Sequence, residues 1–236
     1  MITDLQEYIN LLLELNFLEI IFNSNKDPRI EVIQNLKTDL LVIKNPRKLK
    51  CLIINSDFIA TKLKRVLFKN CLYLKKIWLQ NYKITDVEIS DYPNLKDVNF
   101  FDNKLYNINK LLSILNPTII TSIWLNKNDF DSFLNLFEKF TKFEELGLSE
   151  NKFRGSLKSL NKLRNLKILV FIDTHINSGL EFLDINLNQF YCDYNSDEYK
   201  VVKIKEKLKK YAKYDDKDQK NIVKDKVFKQ KRLLTE

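Results

Sequence analysis

With three glycines and four prolines in 236 residues, the chain has few positions that take a left-handed backbone cheaply or break an element outright. Its turns must come mostly from Asn, Asp and Ser, which tolerate unusual angles less well than glycine. A glycine-rich phosphate loop is excluded, because Gly147, Gly155 and Gly179 stand too far apart. Cysteine is sparse and odd in number. Cys51, Cys71 and Cys192 form no disulfide framework and lack the paired spacing of a zinc site, so no metal and no cofactor is expected. A catalytic thiol at Cys71 would have no partner base. Histidine occurs once, at His175, where an exposed turn residue is the simpler reading than a triad built on it alone. The carboxylate pairs Glu144-Glu145 and Asp215-Asp216 are sequence neighbours and read as solvated surface. No enzyme signature survives.

Targeting signals are lacking too. The apolar stretch through Phe22 is interrupted by Asp4, Glu7 and Glu14, which argues against a signal peptide or membrane span. The only sequon-like triplet, Asn116-Pro117-Thr118, is blocked by its proline. Reduced thiols suit the cytosol, and a cytoplasmic monomer is the expectation.

What is present is a repeat. Its order is apolar, two residues, apolar, one residue, apolar, two residues, a polar turn residue, one residue, apolar. Leu49, Leu52, Ile54, Asp57 and Ile59 fit it. Leu74, Ile77, Leu79 and Ile84 follow, with Tyr82 in the polar slot. Full copies are Leu95, Val98, Phe100, Asn103, Leu105; Ile120, Ile123, Leu125, Asn128, Phe130; and Phe143, Leu146, Leu148, Asn151, Phe153. Leu166, Leu169, Phe171, Thr174 and Ile176 come next, then a truncated Leu187, Phe190 and Cys192. First positions are separated by 25, 21, 25, 23, 23 and 21 residues. An amphipathic helix cannot give a spacing of three followed by a spacing of two. The variable half repeats as well: Val66-Leu67-Phe68 with Cys71 maps onto Val87-Glu88-Ile89 with Tyr92.

The alternating segment of each copy predicts a short strand, with two side chains buried and those between them exposed. The polar slot predicts a turn where a side-chain amide pairs with otherwise unsatisfied backbone groups. Asn103, Asn128 and Asn151 should therefore stack as a structural ladder, a pattern from which Tyr82 and Thr174 depart. No copy can bury its apolar face alone, so the copies must stack.

Leu146 to Leu157 reads LGLSENKFRGSL, and Leu166 onwards reads LKILVFIDTHINSGLEFL. These segments resemble leucine-rich-repeat proteins with an L-x-L-S-x-N-x-F-x-G-S-L pattern, including large fungal multigene families. The resemblance covers residues 36–195, and the separations fall in the 20–29 window of such repeats. It implies an α/β solenoid, a horseshoe with a concave parallel sheet of seven short strands and a convex side of turns, short helices or irregular structure. It also implies protein binding. Departures are an irregular first repeat and two copies of 25 residues.

The expected organisation is a helical cap over 1–35, repeats over 36–195, and a C-terminal helix with a basic tail over 196–236. Residues 3–22 carry a Thr3/Gln6 capping pattern and an apolar stripe of Leu5, Ile9, Leu12, Leu13, Ile20 and Ile21. Helical stretches are also expected from Asp131 or Ser132 through Phe140, and around Leu111 to Leu115 before Pro117. At the far end, Val201, Ile204, Leu208 and Tyr211 line one face of a helix from about Asp197 to Tyr214.

Charge is uneven. The net +9 resides mainly from Asp197 onward, where 14 Lys+Arg face 8 Asp+Glu and give +6. A solvated Lys-rich helix is the first reading of that tail. Binding of nucleic acid or an acidic surface is the alternative, and an adaptor arm of a larger complex such as a ubiquitin ligase is a third, though no recruitment motif precedes residue 36.

The outward column between the buried strand positions reads Ile53, Trp78, Asn99, Trp124, Gly147, Val170 and Tyr191. The next outward column reads Asn55, Gln80, Phe101, Asn126, Ser149, Ile172 and Asp193. Both tryptophans of the chain fall in the first column. Trp78, Phe101 and Trp124, flanked by Lys76 and Asn126, are therefore expected to form a solvent-facing aromatic cluster that binds a protein partner on the concave face. Asn99, Gln80 and Tyr191 complete the expected surface.

Overall fold

The computed structural model describes residues 17–21, 29–31, 39–44, 50–55, 63–179, 182–183 and 187–192. The chain divides into two compact units, Met1–Phe190 and Tyr191–Glu236.

The repeat becomes a parallel eight-stranded sheet. Its strands are β2 (Arg29–Glu31), β4 (Cys51–Asn55), β6 (Lys76–Gln80), β8 (Asp97–Asn99), β9 (Ser122–Trp124), β11 (Glu145–Gly147), β13 (Ile168–Val170) and β15 (Gln189–Tyr191), side by side in that order. The register is the one the spacing predicts: Leu52 stands opposite Ile77, Ile77 opposite Val98, Val98 opposite Ile123, Ile123 opposite Leu146, and Leu146 opposite Leu169. Each of these side chains is fully buried. Leu79, Phe100, Leu125 and Leu148, two residues on, are equally sealed. Stacking supplies each coil with a hydrophobic neighbour that it cannot make itself.

One strand more than expected lies at the N-terminal end. Ile30 of β2 pairs with Leu52, but Asp27 occupies the slot that is leucine, isoleucine or phenylalanine in later copies, so the motif is unreadable there. Phe17–Ile21 is strand β1, not the end of a helix over 3–22. Its apolar residues satisfy a two-residue period as well as a helical one, and pairing with β3 (Leu40–Lys44) decides in favour of the strand. The sheets thus begin ahead of residue 36. The rest of the expected N-terminal helix, the C-terminal helix and the basic tail lie outside the described residues.

A second parallel sheet, β1-β3-β5-β7, uses the first periodic variable halves. Val66 and Phe68 of β5 (Arg65–Lys69) pair with Val87 and Ile89 of β7 (Asp86–Ile89), and with Leu41 and Ile43 of β3, all buried. The early coils are therefore two-sheeted, where turns and short helices were expected. The second sheet stops at β7 because the next coil forms helix α1 (Ile108–Ser113) instead. Asn107 caps it, its side chain accepting from the Lys110 amide at 2.9 Å, and Ile108, Leu111 and Leu112 give the buried stripe. Lys110 reaches back to Asp86 at 2.6 and 2.7 Å and to Glu88 at 3.2 Å, placing a cation against the last strand of that sheet. A charged, occupied edge is protected from further strand pairing.

Later coils change again. A three-stranded sheet of β10 (Asp131–Phe133), β12 (Lys152–Ser156) and β14 (His175–Ser178) follows the polar turns. Short 3-10 turns cover Leu134–Phe137 and Leu157–Leu160. The helix expected from Asp131 or Ser132 through Phe140 is thus a strand plus one 3-10 turn, because Asp131–Phe133 pairs with Lys152–Arg154. Buried rings fill the space: Phe137 lies 5.6 Å from Phe153 and 6.4 Å from Phe143, Phe140 stacks on Phe143 at 5.0 Å, and Phe130 on Phe153 at 5.9 Å.

The asparagine ladder is present. Asn103 donates to Leu79 O at 2.8 Å and Phe100 O at 3.1 Å, while its Oδ1 accepts from Ile84 N at 3.0 Å. Asn128 donates to Phe100 O at 2.8 Å and Leu125 O at 2.9 Å, and accepts from Leu105 N at 3.0 Å. Asn151 donates to Leu125 O at 2.9 Å and Leu148 O at 3.0 Å, and accepts from Phe130 N at 3.1 Å. Each amide bridges its own coil and the one before. Of the remaining slots, Asp57 lies outside the described residues, Tyr82 is fully buried, and Thr174 donates its hydroxyl to Phe171 O at 2.9 Å.

Scarce glycine has a visible cost beside this ladder. Among the described residues, the one before each slot is left-handed and never glycine: Asn81, Asp102, Lys127, Glu150 and Asp173, with φ from 52° to 64°. Such a conformation costs an L-residue roughly 1–2 kcal/mol. Glu150 carries a further burden. Desolvation raises its pKa, Asp173 and Asp102 add to the rise, and Lys127 opposes it. A raised folded-state pKa means that the folded chain holds the Glu150 proton more tightly than the unfolded chain. The group therefore favours folding below the ordinary carboxylate range and disfavours it once pH exceeds the raised value. Glu150→Gln should accordingly raise the melting temperature at pH 7, with the gain shrinking as pH falls through the carboxylate range; melts at several pH values check this.

Candidate functional site

The outward face of the eight-stranded sheet was expected to present exposed rings. Backbone register does bring the two tryptophans to one column: Trp78 stands opposite Asn99, and Asn99 opposite Trp124. The side chains, however, do not stand out into solvent. Trp124 is buried, at 6% exposure, and Trp78 and Phe101 are half-buried. Asn99, Gln80 and Asn126 are buried too. Tyr191 ends β15, half-buried, and belongs to the second unit.

Three physical causes account for the difference. First, the Trp124 ring lies over Gly147 on the next strand, where a Cβ would overlap the ring and also press on Asn126. Gly147 is thus the gap that lets the indole lie down. Second, each indole is tied by its N–H to a carboxylate one strand on. Trp78 Nε1 donates to Asp97 at 3.0 Å, and Trp124 Nε1 donates to Glu145 at 2.9 Å. Third, the strands are short, and the outward polar side chains complete the backbone bonding beyond them. Asn99 accepts from Phe101 N at 3.0 Å, Asn126 from Ser149 N at 2.8 Å, and Ser149 from Ile172 N at 2.8 Å.

Asp97 was not singled out from the sequence, and Glu145, read with Glu144 as solvated surface, is instead a half-buried acceptor for Trp124 and Ser122, although a signal existed for both. Each precedes by two residues the position that faces the indole, Asn99 or Gly147 respectively. Each carboxylate also serves a second partner: Lys76 Nζ lies 3.0 Å from Asp97, and Ser122 donates to Glu145 at 3.0 Å. Lys76 sits 4.3 Å above the Trp78 ring, and Lys127 5.5 Å above that of Phe101. The accessible aromatic surface is therefore Trp78 and Phe101, each under an ammonium group, while Trp124 is structural.

The Gln80 amide nitrogen is buried without a hydrogen-bond partner. Cys71 is buried, and burial pushes its thiol up to about 12, with Asp91 adding to the effect; it stays protonated at neutral pH and is no nucleophile. His175 is exposed. Among the described residues no group of His, Cys, Asp and Glu could hold a metal ion, and no helix is long and apolar enough to cross a membrane.

No protein-family model matches the chain, and no curated protein matches it. Solved structures similar to it include internalin C2 from Listeria monocytogenes, with 18% identity and a TM-score of 0.37 over 64% of this chain and 66% of that one. Another is an internalin (inlF) of the same organism, with 16% identity and a TM-score of 0.43 over 84% of this chain and 61% of that one. The chain thus spans less than two thirds of either internalin chain. With its strands in register and its asparagine amides bridging coil to coil, the first unit is a leucine-rich-repeat solenoid.

Proposed function

We propose that the chain is a non-catalytic protein-binding scaffold of a reducing, cytoplasmic setting, acting as a monomer through the outward face of its eight-stranded sheet. The observation that carries this reading is the pair Trp78 and Phe101. Two half-buried rings, on neighbouring coils, lie under the ammonium groups of Lys76 and Lys127. Rings held rigid lose little entropy when a partner covers them, and an aromatic surface with a cation beside it suits a partner of mixed apolar and acidic character. The tie from Trp78 to Asp97 supports the same reading, because it fixes the indole before any partner arrives. The segment from Leu146 to Leu157, which resembles protein-binding repeat families, supplies β11, the Asn151 slot and β12 of the same scaffold.

The test is capture from a cell extract by the full chain, compared with Trp78→Ala/Phe101→Ala. Partners enriched by the wild type are then expressed and their affinities measured. The expected loss is tenfold or more, as for a centrally placed aromatic hot spot worth about 2 kcal/mol. Unchanged affinity for every partner would reject this face as the binding surface. Trp124 is unsuitable for the purpose, because its replacement would also disturb Gly147 and Glu145.

A further inference from the structure

On the edge where the chain enters the eight-stranded sheet, one column behaves unlike the rest. The residue just before each strand is Lys50, Lys75, Lys96, Thr121, Glu144 and Lys167, in successive coils. A continuous backbone chain fixes this alignment: Lys75 N donates to Lys50 O at 2.8 Å, Lys96 N to Lys75 O at 2.9 Å, and Thr121 N to Lys96 O at 2.8 Å. The far end of the column is self-compensated, with Lys167 Nζ 2.6 Å from Glu144. The near end is not. Lys50, Lys75 and Lys96 are exposed and have no ion pair among the described residues, although they stack at ~4.8 Å, the spacing of neighbouring strands. Like charges placed directly side by side are destabilising. Several other cations of the solenoid are paired, as Lys76 with Asp97, Lys104 with Asp129 and Lys162 with Glu138.

The turns that bear this ladder also expose apolar surface. Leu72 and Tyr73 are 49% and 51% exposed in the turn before β6, and Pro93 is exposed at the equivalent place before β8. Asn94 Nδ2 donates to Leu72 O at 2.7 Å and holds the two turns in line. From 69 to 75 and from 90 to 96, Lys69, Lys75 and Lys96 face a single acid, Asp91.

We propose that the Lys50–Lys75–Lys96 ladder, with Leu72, Tyr73 and Pro93, docks an extended acidic peptide segment of a partner protein, its carboxylates on the ladder and its aliphatic side chains on the exposed turns. Charge complementarity selects the acidic partner, and the exposed Leu72 and Pro93 select a peptide over a nucleic acid, whose bases would use aromatic faces and leave aliphatic surface uncovered. The chain's own C-terminal stretch, net +6 from Asp197 onward, is of the wrong sign to occupy the ladder. The ladder shares no residue with the Trp78–Phe101 pair, so each is tested by its own variants.

The experiment uses the full chain and a fluorescein-labelled peptide in which Glu alternates with Leu. Its all-Gln counterpart and an oligothymidylate of equal length serve as comparison probes. Lys75→Glu/Lys96→Glu should weaken the acidic peptide about tenfold or more, since two favourable contacts become repulsive. Lys83→Glu/Lys152→Glu makes the same change in net charge at exposed positions that follow the turn slot, and should alter affinity less than about twofold. Thermal melts verify that all variants fold. Equal loss in the two variants, or loss in neither, overturns the ladder as the site. Binding of the all-Gln peptide as tight as that of the acidic one overturns the role of charge. An oligothymidylate held more tightly than the peptide, with the same dependence on Lys75 and Lys96, overturns the peptide assignment in favour of nucleic acid.

Discussion

Asn128→Ala is expected to lower folding stability by about 3–5 kcal/mol, measured by urea unfolding. Its side chain accepts from the Leu105 amide and donates to Phe100 O and Leu125 O, all in the buried turn. The two carbonyls keep a partner after truncation, because Asn103 also donates to Phe100 O and Asn151 to Leu125 O. The Leu105 N–H keeps none from the ladder. An orphaned buried donor costs about 1–3 kcal/mol, and each lost shared bond about 1 kcal/mol more. The site cannot collapse readily, since its neighbours are the same amides one coil away. Asn128→Asp should fare little better: it keeps an acceptor for Leu105 but turns an anion toward two carbonyls. Amide exchange at Leu105 should accelerate more than at Ile84, which depends on Asn103 instead. A loss under about 1 kcal/mol would show that the ladder decorates the turns and does not hold them.

This ladder was readable from spacing because its chemistry is local. An amide three residues after a buried strand position meets the same orphaned backbone groups in every coil. The same holds for the register of β4 through β13, where a three-then-two spacing admits a single arrangement of buried side chains. Elements that depend on their neighbours were read less well. Phe17–Ile21 carries both periods, and only pairing with β3 makes it a strand. Asp131–Phe133 looked like a helix start, yet pairing with β12 overrides its local preference. The binding face shows the limit most clearly. Sequence placed Trp78 and Trp124 in one column correctly, because strand alternation sets which side a residue leaves. It could not say how far each ring tilts. That depends on Gly147 leaving room beside Trp124, and on Asp97 and Glu145 standing one strand away to receive the indole N–H groups. A residue's side of the sheet is a property of its own strand; its exposure is a property of the next one.

The phenylalanine cluster extends that lesson to energetics. Phe137→Ala should destabilise the protein by about 3–5 kcal/mol, the usual cost of deleting a fully buried ring. Phe137 is fully buried and its ring touches both Phe153, edge-on at 5.6 Å, and Phe143 at 6.4 Å. These partners belong to the following coil, so the ring ties two coils together beside the three-residue pairing of β10 with β12. Phe137→Leu should recover about half of the loss by refilling volume without the ring contacts. Because each coil of a solenoid contacts chiefly its neighbours, the damage should be local. Amide exchange should rise most between residues 122 and 160, and least across β5, β6 and β7, which are secured by the two-sheeted packing of Val66, Phe68, Val87 and Ile89. If Phe137→Ala instead speeds exchange uniformly along the chain, the early and late coils unfold as a single unit, and the change from the β1-β3-β5-β7 sheet to packed rings is not an energetic boundary.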